Sequence, residues 1–153
     1  MFNRITSIAL LCVLMLCMIP TAYASSFARE EILTPIDLSG YEEATSTPSS
    51  RAGFQVVCKD LALGKYALSG EYTVKSGVDK CKVNFTWTPT TQKIQIGFLN
   101  PQKTFYKVDK TGGEYKGTLG TTNAPSGTYK VAVFNPTSNT KKINGIANCE
   151  WTK

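Results

Sequence analysis

Histidine is absent from this chain of 153 residues. Its absence excludes a Ser–His–Asp triad and a cysteine–histidine pair, and it removes a main ligand of zinc sites. No CxxC pair occurs. Arginine stops at Arg51, and everything cationic beyond it is lysine. Apart from Ile8–Ile19 there is no long apolar run, and no helical period of useful length follows it. Glycines Gly117 and Gly120 precede neither a helix nor a lysine–serine pair, so they form no phosphate loop. Hydrolysis by paired carboxylates needs two acids a few ångströms apart, and Asp79, Glu114 and Glu150 are widely spaced in the chain. Asp60, Asp79 and Asp109 stand singly, unlike the clustered acids of a calcium loop. These absences predict a protein that is no enzyme and holds no cofactor or metal.

What is present begins with compartment. Arg4 precedes the apolar run Ile8–Ile19, Pro20 breaks it, and the small residues Ala22 and Ala24 follow. This pattern predicts a secretory signal peptide, residues 1–24, cut after Ala24. The run is shorter than the roughly 20 residues that span a bilayer, so no integral membrane segment is expected after cleavage. Charge is uneven in the remainder. From Ser25 to Val57 five acids face two arginines, a net −3; from Cys58 onward fourteen lysines face six acids, a net +8. Exposed lysines serve solubility and protect sheet edges, and they also attract polyanions. After export the nearest polyanions are cell-wall polymers and lipid headgroups, not nucleic acid.

Residues 25–52 read as a flexible acidic leader in which Ile32–Leu38 forms at most a brief docked segment, with the domain starting near Gly53. From there to Lys153, short strand signals alternate with turn signals about every 8–12 residues. "DKCKVNFTW" (Asp79–Trp87) is the clearest: Cys81, Val83, Phe85 and Trp87 share one face, and Lys80, Lys82, Asn84 and Thr86 the other. "QKIQIGFL" points Ile94, Ile96 and Phe98 inward. The two runs read as a hairpin, as does the pair joined by Gly112–Gly113. The predicted core is Trp87, Trp151, Phe85, Phe98, Tyr129, Val131 and Val133. The fold class is all-β, an antiparallel sandwich (jelly-roll or immunoglobulin-like) of about 7–9 short strands. Tyr106, Tyr115 and Trp151 could serve a sugar platform, but at strand positions they fit the core better.

Three cysteines follow the cleavage site: Cys58, Cys81 and Cys149. Export permits disulfides, and an odd count allows one bridge and a free thiol, or no bridge. Cys81 opens its strand and Cys149 lies near the end of the last. Antiparallel neighbours or facing strands bring such positions together, so a Cys81–Cys149 bridge is expected, with Cys58 left as a thiol.

The phrases "GEYTVKSGVDKCKVNFTWTPTTQKIQIGFLNP", "KTGGEYKGTLG", "APSGTYKVAVFNPTSN" and "INGIANCEW" resemble small exported bacterial β-sandwich domains of the pre-peptidase C-terminal type. The likeness covers about two-thirds of the mature chain. It implies the sandwich fold and export. Such modules commonly accompany exported hydrolases. Here the module is expected to stand alone, and the resemblance carries over no catalytic residues.

The expected role is that of a secreted, non-catalytic module binding an anionic cell-wall polymer or carbohydrate through Lys116, Lys130, Lys141 and Lys142. The alternative is a structural or self-associating component of an extracellular matrix or coat. A third is a secreted toxin or inhibitor whose fold presents loops.

Overall fold

β-Branched and aromatic residues alternating with polar ones favour half-buried strands, and among the described residues strands make up all the regular structure. The computed structural model describes residues 31–44, 54–74, 79–120 and 126–152. The expected signal peptide, and the leader on either side of 31–44, lie outside the described residues. The strands are β1 (Thr34–Asp37), β2 (Glu42–Glu43), β3 (Gln55–Leu61), β4 (Lys65–Val74), β5 (Lys80–Thr88), β6 (Ile94–Leu99), β7 (Thr104–Lys110), β8 (Glu114–Gly120), β9 (Gly127–Asn135) and β10 (Ile143–Thr152). They form two sheets, ordered β1-β7-β6-β9-β4-β2 and β3-β10-β5-β8. Every pairing is antiparallel except β2 with β4. The all-β sandwich follows the sequence reading, and eight of the ten described strands lie beyond Gly53.

The connections differ from the hairpins expected. β5 belongs to the small sheet and β6 to the large one, so the corner between them crosses the sandwich. Thr88–Pro89 in that corner is a cis peptide. Trp87 folds its indole back so that Nε1 donates to the Gln92 carbonyl at 3.0 Å. Val83, Phe85 and Trp87 therefore meet Ile94, Ile96 and Phe98 within one core between the sheets, not along one ladder. The Gly112–Gly113 turn also joins different sheets, β7 to β8. The β6–β7 connection is a true hairpin: Lys103 N–H reaches Asn100 O at 3.0 Å, and Thr104 N–H reaches Asn100 Oδ1 at 2.7 Å. Lys103 sits there at φ +60°, in the left-handed region.

β4 is irregular at its centre. Its register against β9 shifts between Leu68 and Glu71. Ser69 bridges the irregularity: Oγ accepts the Val131 N–H at 2.9 Å and donates to the Gly70 carbonyl at 2.8 Å. One ten-residue strand results, with a bulge in its middle.

The main core contains every residue predicted for it except Trp151, which is partly buried and packs against it. A second core, absent from the sequence reading, lies on the other face of the large sheet. It holds Leu38, Tyr66, Leu68, Leu99, Phe105, Ala132 and Phe134. Leu38 comes from the segment assigned to the flexible leader, and it is fully buried. Residues 31–44 lie along the body of the domain. Glu31 N–H bonds Thr118 O of β8 at 3.2 Å, β1 pairs with β7, and β2 pairs with β4. The segment thus joins the two outer edges of the large sheet. Flat, those edges would be about 24 Å apart at ~4.8 Å per strand step, whereas Asp37 to Glu42 reaches at most ~18 Å. The sheet must curl, and Leu38 fills the hollow. Gly97 allows the curl: a Cβ there would collide with the Tyr106 carbonyl oxygen, as expected of glycine at a tight sheet bend.

Candidate functional site: the outer face of the small sheet

The large sheet is covered on both faces, by the two cores. The small sheet has one covered face, and its other face points outward with the polar half of each alternating strand. Register aligns these outward side chains across the strands. Asn148 of β10 lies opposite Gln55 of β3 and Asn84 of β5, and Asn84 opposite Lys116 of β8. Two residues along, Glu150 lies opposite Lys82, and Lys82 opposite Thr118. Between these ranks runs a shallow trough of about 550 Å³, lined by residues 82–84, 116–118 and 148–150. The ranks are two residues apart, so the trough is about 7 Å wide. Gln55 Nε2 donates to Asn148 Oδ1 at 2.6 Å, which holds one rank in line.

A second trough lies about 13 Å further along the strands, at four residues' rise. Its volume is about 750 Å³, and Val57, Lys59, Thr86, Thr88, Asn144 and Ile146 are among its walls. Ile146 is 48% exposed there. The pitch of β3 changes beside it, where the register with β10 shifts between Ile143 and Gly145 and Asp60 adopts φ +49°. The Asp60 N–H is taken up by Asn144 Oδ1 at 2.8 Å.

The four lysines expected to bind polymer do not form one patch. Lys116 lines the first trough. Lys130 lies on the large sheet, ion-paired with Glu71 at 3.4 Å. Lys141 and Lys142 are exposed in the β9–β10 corner. That corner is tied down from within: buried Asn135 donates to the Leu61 carbonyl at 2.8 Å, and Gln92 Oε1 accepts the Thr140 N–H at 3.0 Å. Much of the lysine charge is matched internally. Lys93 and Lys107 both bind Asp109, Lys110 binds Glu31, and Lys116 binds Glu114. Burial raises the Asp109 pKa, but the hydrogen bonds and charges of Lys107 and Lys93 outweigh it and hold the carboxyl below its ordinary value.

Structure puts Lys82, Asn84, Thr118, Asn148 and Glu150 in the trough beside Lys116, and of these six only Lys116 was among the four lysines expected to bind polymer. The signal was present in the alternation of β5 and β10, but which strands are neighbours could not be read from it. The candidate sugar platform is absent. Tyr115 is buried, Trp151 stacks on Tyr72 at 4.0 Å and on Phe98 at 5.0 Å, and Tyr106 packs near Tyr129. Nor do the acids converge. Glu114 lies opposite Thr86 and Glu150 opposite Lys82, on different sides of β5. Four residues along the strand separate them by about 13 Å before the lateral distance is added, beyond the ~9.5 Å limit for a hydrolytic carboxylate pair. Among the described residues no cluster of three metal-ligating side chains occurs.

Among the described residues no disulfide is present: Cys58, Cys81 and Cys149 are free thiols. Cys81 and Cys149 do share the inward face of adjacent strands, where the Cys81 thiol donates to the Lys82 carbonyl at 3.7 Å and the Cys149 thiol to the Ala147 carbonyl at 4.0 Å. They are diagonal, not opposite, because Cys149 faces Val83 and Cys81 faces Trp151. Diagonal neighbours have Cα atoms about 7–8 Å apart, just outside the ~4.4–6.8 Å that a disulfide usually spans. The neighbouring Cys149 thiol, followed by burial, pushes the Cys81 thiol pKa strongly up. Burial alone pushes Cys58 up to about 12.

The chain matches no protein-family model, no curated protein and no solved structure.

Proposed function

We propose that this chain is an exported, non-catalytic module that binds an extended anionic polymer, of cell wall or extracellular matrix, across the outer face of its small sheet. The observation supporting this reading is the trough between two ranks of outward polar side chains, with Lys82 and Lys116 in its walls. A polymer lying across the strands meets amide, hydroxyl and ammonium groups in succession. Hydrogen bonds from Asn84, Asn148 and Thr118 suit hydroxylated or carboxylated repeats, and the lysines supply attraction from a distance. In the exported compartment Cys81 and Cys149 close a disulfide and Cys58 remains a thiol.

Affinity electrophoresis in polygalacturonate, a carboxylated polysaccharide, and sedimentation with purified cell wall test the reading. Retention at low salt should fall as salt shortens the screening length to below about 10 Å. Lys82→Glu combined with Lys116→Glu should weaken binding by about tenfold or more, ~1.4 kcal/mol. Reversal of Lys141 and Lys142 should do less, because they lie outside the trough. Retention that ignores both salt and the trough substitutions would reject the site.

A self-associating role has one observation of its own. Among the described residues, the outer edge of β8 is met only by the single bridge from Glu31 to Leu119. Such an edge can accept a strand from another molecule. Size-exclusion chromatography of the purified protein separates the readings: assemblies formed before any polymer is added favour self-association.

A further inference from the structure

Lys82 follows Cys81 in the chain, and Asn148 and Glu150 flank Cys149. The residues that wall the trough are thus chain neighbours of two thiols that lie diagonally on adjacent strands beneath it. The third cysteine does not compete. Cys58 lies opposite Gly145, four residues from Cys149 along β10, or about 13 Å. Accessibility is unequal: Cys81 is fully buried, whereas Cys149 is partly exposed.

The end of β10 is laddered on one side only. Its ladder with β3 stops at Asn148, and one further bond, Cys149 N–H to Phe54 O at 2.9 Å, ends the contact. Glu150, Trp151 and Thr152 pair with β5 alone among the described residues. A strand end held on one side can slide by the ångström or so that separates a diagonal pair from disulfide range.

We propose that Cys81 and Cys149 form a redox lock: their disulfide draws the end of β10 across β5 and fixes the walls of the trough. The lock rests on the binding reading only for its effect on affinity. Cys149 enters the reaction first because it is the accessible thiol. Its sulfur, as thiolate, attacks an external disulfide, of a thiol–disulfide exchange protein or of oxidised glutathione, and displaces one thiol. The Cys81 sulfur then displaces the second thiol from the mixed disulfide. One Sγ–Sγ bond forms and the external S–S bond breaks. Two electrons and two protons leave the cysteines, and the external disulfide ends as two thiols. Fixing Asn148 and Glu150 against Lys82 and Asn84 removes freedom that a ligand would otherwise have to restrict, so the locked form binds more tightly.

The test compares protein equilibrated with oxidised glutathione and with dithiothreitol. Peptide mapping of the oxidised form should show Cys81 joined to Cys149 and Cys58 alkylated only after unfolding. Amide hydrogen exchange at Glu150–Thr152 should slow by about tenfold on oxidation. Polygalacturonate should bind the oxidised form about threefold more tightly, and Cys149→Ser should abolish all three differences. A stable glutathione adduct on Cys149, a bridge to Cys58, or a bridge that leaves exchange unchanged would each overturn the lock. Equal affinity of the two forms would overturn its coupling to the trough. If the bridge forms and slows exchange but neither form binds polymer, the lock stands and the polymer reading is what fails.

Discussion

Leu38→Ala should unfold the domain far more easily than a substitution in a flexible leader could. Leu38 is fully buried against Tyr66, Leu68, Leu99, Phe105, Ala132 and Phe134. Its own N–H is held by the Lys103 carbonyl at 2.9 Å, so the backbone is anchored and cannot collapse into the space vacated. Truncation removes about three methyl or methylene equivalents at ~0.8 kcal/mol each. The residual cavity adds to this, for a total of ~3 kcal/mol. For a domain of this size that lowers the melting temperature by about 12 °C, at ~4 °C per kcal/mol. Urea unfolding followed by the fluorescence of Trp87 and Trp151 reads the change, as a shift of midpoint at constant slope. Ile32→Ala is the control: Ile32 lies in the same segment but is 83% exposed, and its loss should cost less than ~0.5 kcal/mol. If Leu38→Ala also costs less than that, residues 31–44 do not close the second core in solution, and the account of why the large sheet curls is wrong.

Two further substitutions test other parts of the argument. Lys103 occupies the left-handed position of the β6–β7 hairpin at φ +60°, so Lys103→Gly should stabilise by about 0.5–1 kcal/mol, the relief of strain being partly offset by the greater freedom of glycine when unfolded. A loss of stability in urea would mean that the lysine side chain makes a contact worth more than the strain. Burial raises the Cys58 thiol from its ordinary 9.0 to about 12. The folded protein therefore keeps a proton there that the unfolded chain releases. That contribution is fully present below pH 9 and is lost as pH rises through the folded value, at about 1.4 kcal/mol per unit. Cys58→Ala should flatten the decline in stability between pH 9 and 11, and an unchanged slope would show that Cys58 is not protected from ionisation.

Strand content and the inward faces were legible because they depend on local chemistry. The alternation of "CKVNFTW" assigns one face to water and one to the core wherever the strand is placed. Continuous apolar stretches such as "YAL", "GFL" and "VAVF" carried a further signal, that β4, β6 and β9 are buried on both faces. It was readable from sequence, but not what covers the second face. The cover, Leu38, arrives from an acidic, proline-containing segment that has no sustained period of its own. Its order comes from edges and a hollow supplied by residues far along the chain.

Sequence by itself determined which residue types are lacking, the charge of each region and the class of fold, since these depend on residue identity and on periods of a few residues. Tertiary structure alone decided which strands share a sheet. Lys82, Lys116 and Asn148 stand together because β5 is paired with β8 on one side and β10 on the other, a choice no local pattern encodes. The same pairing set Cys81 diagonal to Cys149 and sent Lys130 to the other sheet. Register along a strand follows from its own alternation of apolar and polar residues, whereas neighbourhood between strands follows from how the whole chain buries its apolar surface.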